Sequence, residues 1–164
     1  MTIAMVIMEG IIMSFWLMLV CVVGISNGVE GMVCLYEKDV QERTVELGLT
    51  TKERIKRNHS ISALFLFIPT LFGVPAAVYL INGAHGFFEG FWQMTAIYMI
   101  MTLFDRIFID IVWVGHTKAW IIPGTEDLRP YISVKVQLGK WIGSLIGFPA
   151  FAAAVAGALN YFGI

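Results

Sequence analysis

The sequence predicts an all-α polytopic membrane protein, a four-transmembrane-helix bundle with a cytoplasmic helical hairpin, as one domain over residues 1–164. Three observations predict it. The chain is 58% hydrophobic and only 14% charged, against about 25% charged in an ordinary soluble domain. Its mean hydropathy is +0.77. Four apolar stretches reach the roughly 20 residues that a helix needs to cross a bilayer, and they are too long and too continuously apolar for strands. Ten of the eleven Lys and Arg residues fall in two connections between those stretches.

The expected spans are residues 3–28, 60–81, 91–115 and 141–162, with connections over 29–59 and 116–140. The first connection holds Lys38, Arg43, Lys52, Arg54, Lys56 and Arg57, and the second holds Lys118, Arg129, Lys135 and Lys140. Excess Lys and Arg mark the cytoplasmic side. The pattern places both connections in the cytoplasm, both termini outside and the chain in a cell inner membrane. The segment preceding Gly10 has no Lys or Arg, so a cleavable signal peptide with its basic head is not expected. Phe87, Phe88, Phe91 and Trp92 suit the outer interface, and Trp113, Trp120 and Trp141 the inner one.

Past the first span, Val29, Met32, Val33, Tyr36 and Val40 keep a 3/4 spacing. That spacing predicts helix running on to about Glu46, with Gly48 as its stop. On one continuous helix Cys21 and Cys34 would stand about 20 Å apart, beyond disulfide reach, and they read as buried small hydrophobes. Thr50 and Glu53 have the spacing of a capping box, so a second helix should start near Thr51 and enter the membrane. The turn between these helices is similar to that of a helix-turn-helix DNA reader. Both flanking helices continue into apolar spans, however, and no basic patch points to nucleic acid.

Pro69 and Pro75 in the second span and Pro149 in the fourth remove backbone donors and bend their helices. Either packing kinks or a hinge beside a ligand cavity would follow. In the fourth span Gly139, Gly143 and Gly147 repeat at intervals of four, which stacks them on one face and lets another helix approach closely. The approaching helix could belong to this chain, to a second copy or to a membrane partner subunit.

The strongest functional signal is Asp105-Arg106-Ile107-Phe108-Ile109-Asp110 in the third span. Each ionisable residue inside a span costs about 2.5–3.5 kcal/mol on insertion scales. Arg106 and Asp110 are i,i+4 neighbours, and Trp113, His116 and Lys118 extend the polar face. Arg106 can neutralise one carboxylate. The other then needs a proton, a cation, His116, or a base at the start of the second span such as Arg57 or His59. Two uses compete with a purely structural ion pair. One is a ligand site for the polar head of an amphiphile, built from Asp105, Arg106, Asp110, Trp113, His116, Lys118, Arg57 and His59. The other is a proton or ion path in a transporter component. Asp105, Asp110 and His116 are the candidates for acid–base catalysis, which leaves enzyme activity open.

Beyond this span, His116 to Tyr131 reads as a solvated loop, with fold-back under the bundle and closure over Asp110 as the other course open to it. Pro123-Gly124 suits the centre of a type II turn. Asp105-x-x-x-x-Asp110, His116-Thr117-Lys118 and Pro123-Gly124-Thr125-Glu126 together resemble small prokaryotic multi-span membrane proteins of uncharacterised function. The resemblance covers the third span and the following loop, and implies one unit without an activity. No zinc-peptidase His pair, nucleophile elbow or phosphate loop occurs, so the sequence names no metal or cofactor. The non-catalytic alternative is a membrane subunit that assembles through the span-four glycines.

Overall fold

The structure, a computed structural model, describes residues 2–163. It is helical, with no strand among the described residues. Three helices are long and apolar enough to cross a membrane: Ile3–Ile25, Lys52–Ile81 and Val134–Tyr161. They are called α1 (Thr2–Ile25), α3 (Lys52–Ile81) and α5 (Val134–Tyr161). Between them lie the short α2 (Lys38–Glu46) and α4, whose α-helical part is Gly86–Leu103 and whose wider π-helical part is Phe104–Val114. The helix α4 holds the expected third span but is too polar to join the other three by length and composition. It is nevertheless the centre of the bundle. It packs most extensively against α5 and α1, and Gln93, Met94, Ile97, Tyr98 and Thr102 are buried along it.

The expected continuous helix from the first span to Glu46 is not formed. Helix α1 stops at Ile25 and the chain turns at Ser26-Asn27-Gly28, where Gly28 takes φ 114°, a conformation that penalises any Cβ. A 3₁₀ segment, Val29–Leu35, follows and buries Met32, Val33 and Cys34 against the bundle. The chain becomes extended at Tyr36 and Glu37 before α2 begins. The 3/4 apolar spacing is real, but it lines a tight wrap and not a straight rod. The helical separation argued for the two cysteines therefore falls, yet both thiols are free and buried. Burial pushes the Cys34 thiol above its ordinary range. The cap of α3 sits one residue later than expected. Thr51, not Thr50, is the N-cap, and its hydroxyl accepts from the Arg54 N–H at 3.2 Å.

Two apolar cores stack along the bundle. One joins Val6, Val78, Met94, Ile97, Tyr98 and Ala152 from the long helices. The other joins Cys21 and Ile109 to residues of both connections, including Met32, Tyr36, Trp120, Ile122 and Tyr131. The second connection is thus no solvated loop. Trp120 is 1% exposed and Ile122 and Thr125 are fully buried. Pro123-Gly124 forms the expected turn, with Gly124 at φ 84° and the Thr125 N–H on the Ile122 carbonyl at 3.1 Å. The Tyr131 hydroxyl shares a 2.8 Å hydrogen bond with Thr125 Oγ1 and accepts from the Ile122 N–H at 3.2 Å. Trp113 meets Trp120 edge to face at 5.0 Å. In this lid Tyr131 buries an apolar body with its hydroxyl partnered, whereas the Trp120 Nε1 is buried without a partner.

Candidate functional site

The charged segment of α4 turns inward, and its three formal charges are balanced by a fourth, Lys140 of α5. Arg106 Nη1 donates to Asp105 Oδ2 and, at 2.9 Å, to Asp110 Oδ2. Lys140 of α5 donates its Nζ to both oxygens of Asp110, at 3.1 and 3.4 Å. The Arg106 Nη2 reaches Ser144 Oγ at 3.4 Å, one turn along α5 from Lys140. Asp110 and Arg106 are the most enclosed, with side chains 7% and 13% exposed. Helical spacing explains the meeting. Asp110 lies four residues after Arg106 on α4, and Lys140 and Ser144 are four apart on the face that α5 presents.

Lys140 answers the question that the sequence leaves about the second carboxylate. It is the partner of Asp110, in place of His116, Arg57, His59, a proton or a free cation. Its position at the boundary of a span made it look like one more topological charge. The other sequence candidates stand apart from the network. His116 is exposed, with Nδ1 2.6 Å from the Ile111 carbonyl, and Lys118, Arg57 and His59 are exposed. Trp113 is partly buried, and its ring packs against Trp120 of the lid. Of the catalytic candidates, Asp105 and Asp110 meet at Arg106 Nη1, and His116 does not join them. Among the described residues no group of three His, Cys, Asp or Glu is placed to hold a metal ion.

A cavity of about 200 Å³ opens beside the network. Asp105, Arg106 and Thr102 form its polar end, and its walls include Met13, Trp16 and Leu17 of α1, Leu66 and Phe67 of α3, and Phe148 of α5. Two polar atoms at this end are free. Arg106 Nε is buried and has no hydrogen-bond partner. Asp105 Oδ1 receives no hydrogen bond among the described residues, its Oδ2 taking Arg106. Two other cavities flank it between α1 and α3, sharing Met13 and Trp16 with it as walls. One of about 370 Å³ lies beyond Met13, toward Met5 and Ile81. Another of about 220 Å³ lies beyond Trp16, toward Gly24 and Ile61.

The prolines explain why this seam is loose yet ordered. Pro69 has no N–H for the carbonyl of Phe65, four residues earlier, and Trp16 Nε1 donates to that carbonyl at 2.9 Å. Helix α3 widens into π turns at Pro69–Gly73 and Ala77–Ile81. In the first of these the Thr70 carbonyl would look five residues on, to Pro75, and finds the Tyr98 hydroxyl instead at 2.8 Å. Freed carbonyls in a membrane helix need such substitutes. The aromatic donors that supply them tie α3 to α1 through Trp16 and to α4 through Tyr98, and the seam lies beside these ties. Proline in the second span was legible in the sequence; which donors answer it was not.

The span-four glycines lie elsewhere. A Cβ built at Gly139, Gly143 or Gly147 meets nothing within 4 Å, so no other helix of this chain packs on that row. Close approaches occur instead at Gly10, Gly24 and Gly90, where a Cβ would collide with Ile100, Met32 and Tyr79. Compared with family models, characterised proteins and solved structures, the chain matches none.

Proposed function

We propose that this chain is a four-span inner-membrane protein that binds an amphiphile, with the polar head at Asp105 and Arg106 and the tail in the seam between α1 and α3. The observation that carries this reading is the cavity itself, with apolar walls and Asp105 and Arg106 in its lining. A purely structural ion pair has no need of a cavity beside it. Helix α4 is read as the remaining span. Only residues 82–85 separate it from α3, so it must return alongside a helix that crosses. Its polar residues face the bundle and not lipid, as intramembrane charges do. The Lys and Arg pattern puts the network at the cytoplasmic end, under the lid formed by residues 116–133. Because Asp105 and Asp110 are ion-paired and His116 is remote, the geometry favours binding over acid–base catalysis. It also disfavours an ion path, since the larger outer cavity is almost wholly apolar.

Lipid extracted from purified protein and identified by mass spectrometry tests this reading. Leu66→Trp fills the cavity from its rim without touching a charge. The wild type should retain a co-purifying amphiphile that Leu66→Trp loses, with both proteins melting alike. Equal lipid content in the two proteins rules the pocket out.

A second reading has its own observation. Gly139, Gly143, Gly147, Ala150, Ala154 and Ala158 form one exposed row of small residues on α5. Such a row favours close helix–helix contact, here with a second copy or a membrane partner subunit. On this reading the chain is a non-catalytic scaffold.

A further inference from the structure

We propose that the head of the bound amphiphile is uncharged and carries a hydroxyl, as in a long-chain alcohol or an acylglycerol. The inference rests on the amphiphile reading above and narrows its ligand. Two carboxylates, Asp105 and Asp110, already face two cations, Arg106 and Lys140, in a closed set of ion pairs. A phosphate head would add a negative charge beside Asp105, and an ammonium head would add a positive one beside Arg106. Either would leave a desolvated charge unmatched, the arrangement that buried ionic sites tolerate least.

The groups left free at this end ask for something smaller. Arg106 Nε is a buried donor without an acceptor, and Asp105 Oδ1 is an acceptor without a donor. A hydroxyl offers one proton and two lone pairs. It can donate to Asp105 Oδ1 and, once the guanidinium turns its enclosed Nε toward the cavity, accept from Arg106, without changing the net charge. Depth agrees, because Asp105 lies roughly two to three helical turns inward from His116, where a neutral hydroxyl is far less costly to bury than an ion. For the tail, the 370 Å³ cavity lies on the other side of Met13, between α1 and α3. Its one acidic lining residue, Glu9, is engaged by Asn82 Nδ2 at 2.9 Å. The unbranched Met13 between the two cavities can move aside for an acyl chain.

The test offers delipidated protein in detergent 1-monopalmitoylglycerol and dipalmitoylphosphatidylglycerol at equal concentration and counts adducts by native mass spectrometry. We expect a one-to-one monopalmitoylglycerol adduct favoured by about tenfold, equivalent to about 1.4 kcal/mol. It should be lost in Leu66→Trp and kept in Ile146→Trp, a change on the exposed face of α5. A diazirine-bearing monoacylglycerol should also crosslink wild-type protein at peptides containing Met13 or Leu66, which needs no variant to fold. Preference for phosphatidylglycerol, lost in Leu66→Trp, overturns the headgroup inference while leaving the pocket in place. Adducts of both lipids that ignore Leu66→Trp, with crosslinks scattered over exposed faces, overturn both.

Discussion

Removing Arg106 probes how strongly the charge network depends on being closed. In Arg106→Met, Asp110 keeps Lys140 at 3.1 Å, but Asp105 keeps no cation among the described residues. An uncompensated buried charge typically costs about 3–5 kcal/mol. Asp105, with its side chain 20% exposed and opening on a cavity, can relax by taking a proton, so the loss should fall near about 3 kcal/mol. The two compensating double replacements then differ. Asp105→Leu with Arg106→Met removes the orphan and its partner and leaves the Asp110–Lys140 pair whole, so it should return to within about 1 kcal/mol of wild type. Arg106→Met with Asp110→Leu leaves Asp105 and Lys140, which do not pair, and should recover much less. Equilibrium unfolding in mixed micelles, followed by far-ultraviolet circular dichroism, reads all four proteins. Equal recovery by the two doubles, or a cost below about 1 kcal/mol for Arg106→Met, would refute a desolvated network with these partners.

Four further outcomes follow from the same geometry. Trp16→Phe removes the donor to the Phe65 carbonyl and should cost about 0.5–1.5 kcal/mol in that unfolding assay; in a Pro69→Ala background, where the helix regains its own donor, the cost should vanish. Single cysteines at Lys52 and Arg129 in a cysteine-free background should resist an impermeant thiol reagent in intact cells while one at Gly86 reacts, and labelling of Lys52 from outside would invert the topology. The Ser133 N–H on Glu37, at 2.6 Å, holds that carboxyl below its ordinary value of 4.5; its stabilisation is therefore complete above pH 4.5 and lost as pH falls through the depressed native value, and Glu37→Gln should flatten that acid limb of the melting profile. Gly143→Leu should leave monomer stability unchanged, since its Cβ meets open space, but should lower oligomer mass in detergent if the scaffold reading holds.

The helical class and the existence of α1, α3 and α5 were legible because long charge-free runs have few alternative folds, although the last helix starts at Val134 and not near 141. The break after Ile25 was not, although Ser26-Asn27-Gly28 carries turn chemistry, because the apolar spacing downstream suits a 3₁₀ wrap as well as a helix. The lid was misjudged for a related reason. Trp120, Ile122 and Tyr131 show no helical period, and contacts between distant residues, such as Tyr131 with Thr125, Ile122 and Tyr36, make them a unit. At the site, Asp105, Arg106 and Asp110 stood out as charges in an apolar run. Lys140 and Ser144 did not, because similarity of depth can be read from a sequence but the facing of two distant helices cannot. That same limit placed Arg57, His59, His116 and Lys118 among the candidates, at the right end of the bundle and on the wrong faces.

The most direct measurement is an experimental density map of the protein purified with native lipid, at a resolution that shows side chains. The account predicts elongated density along Met13, Leu66 and Thr70 that ends in a compact head against Asp105 and Arg106. A seam closed by Leu66 and Phe67, with Arg106 Nε bonded to a protein acceptor, would contradict it.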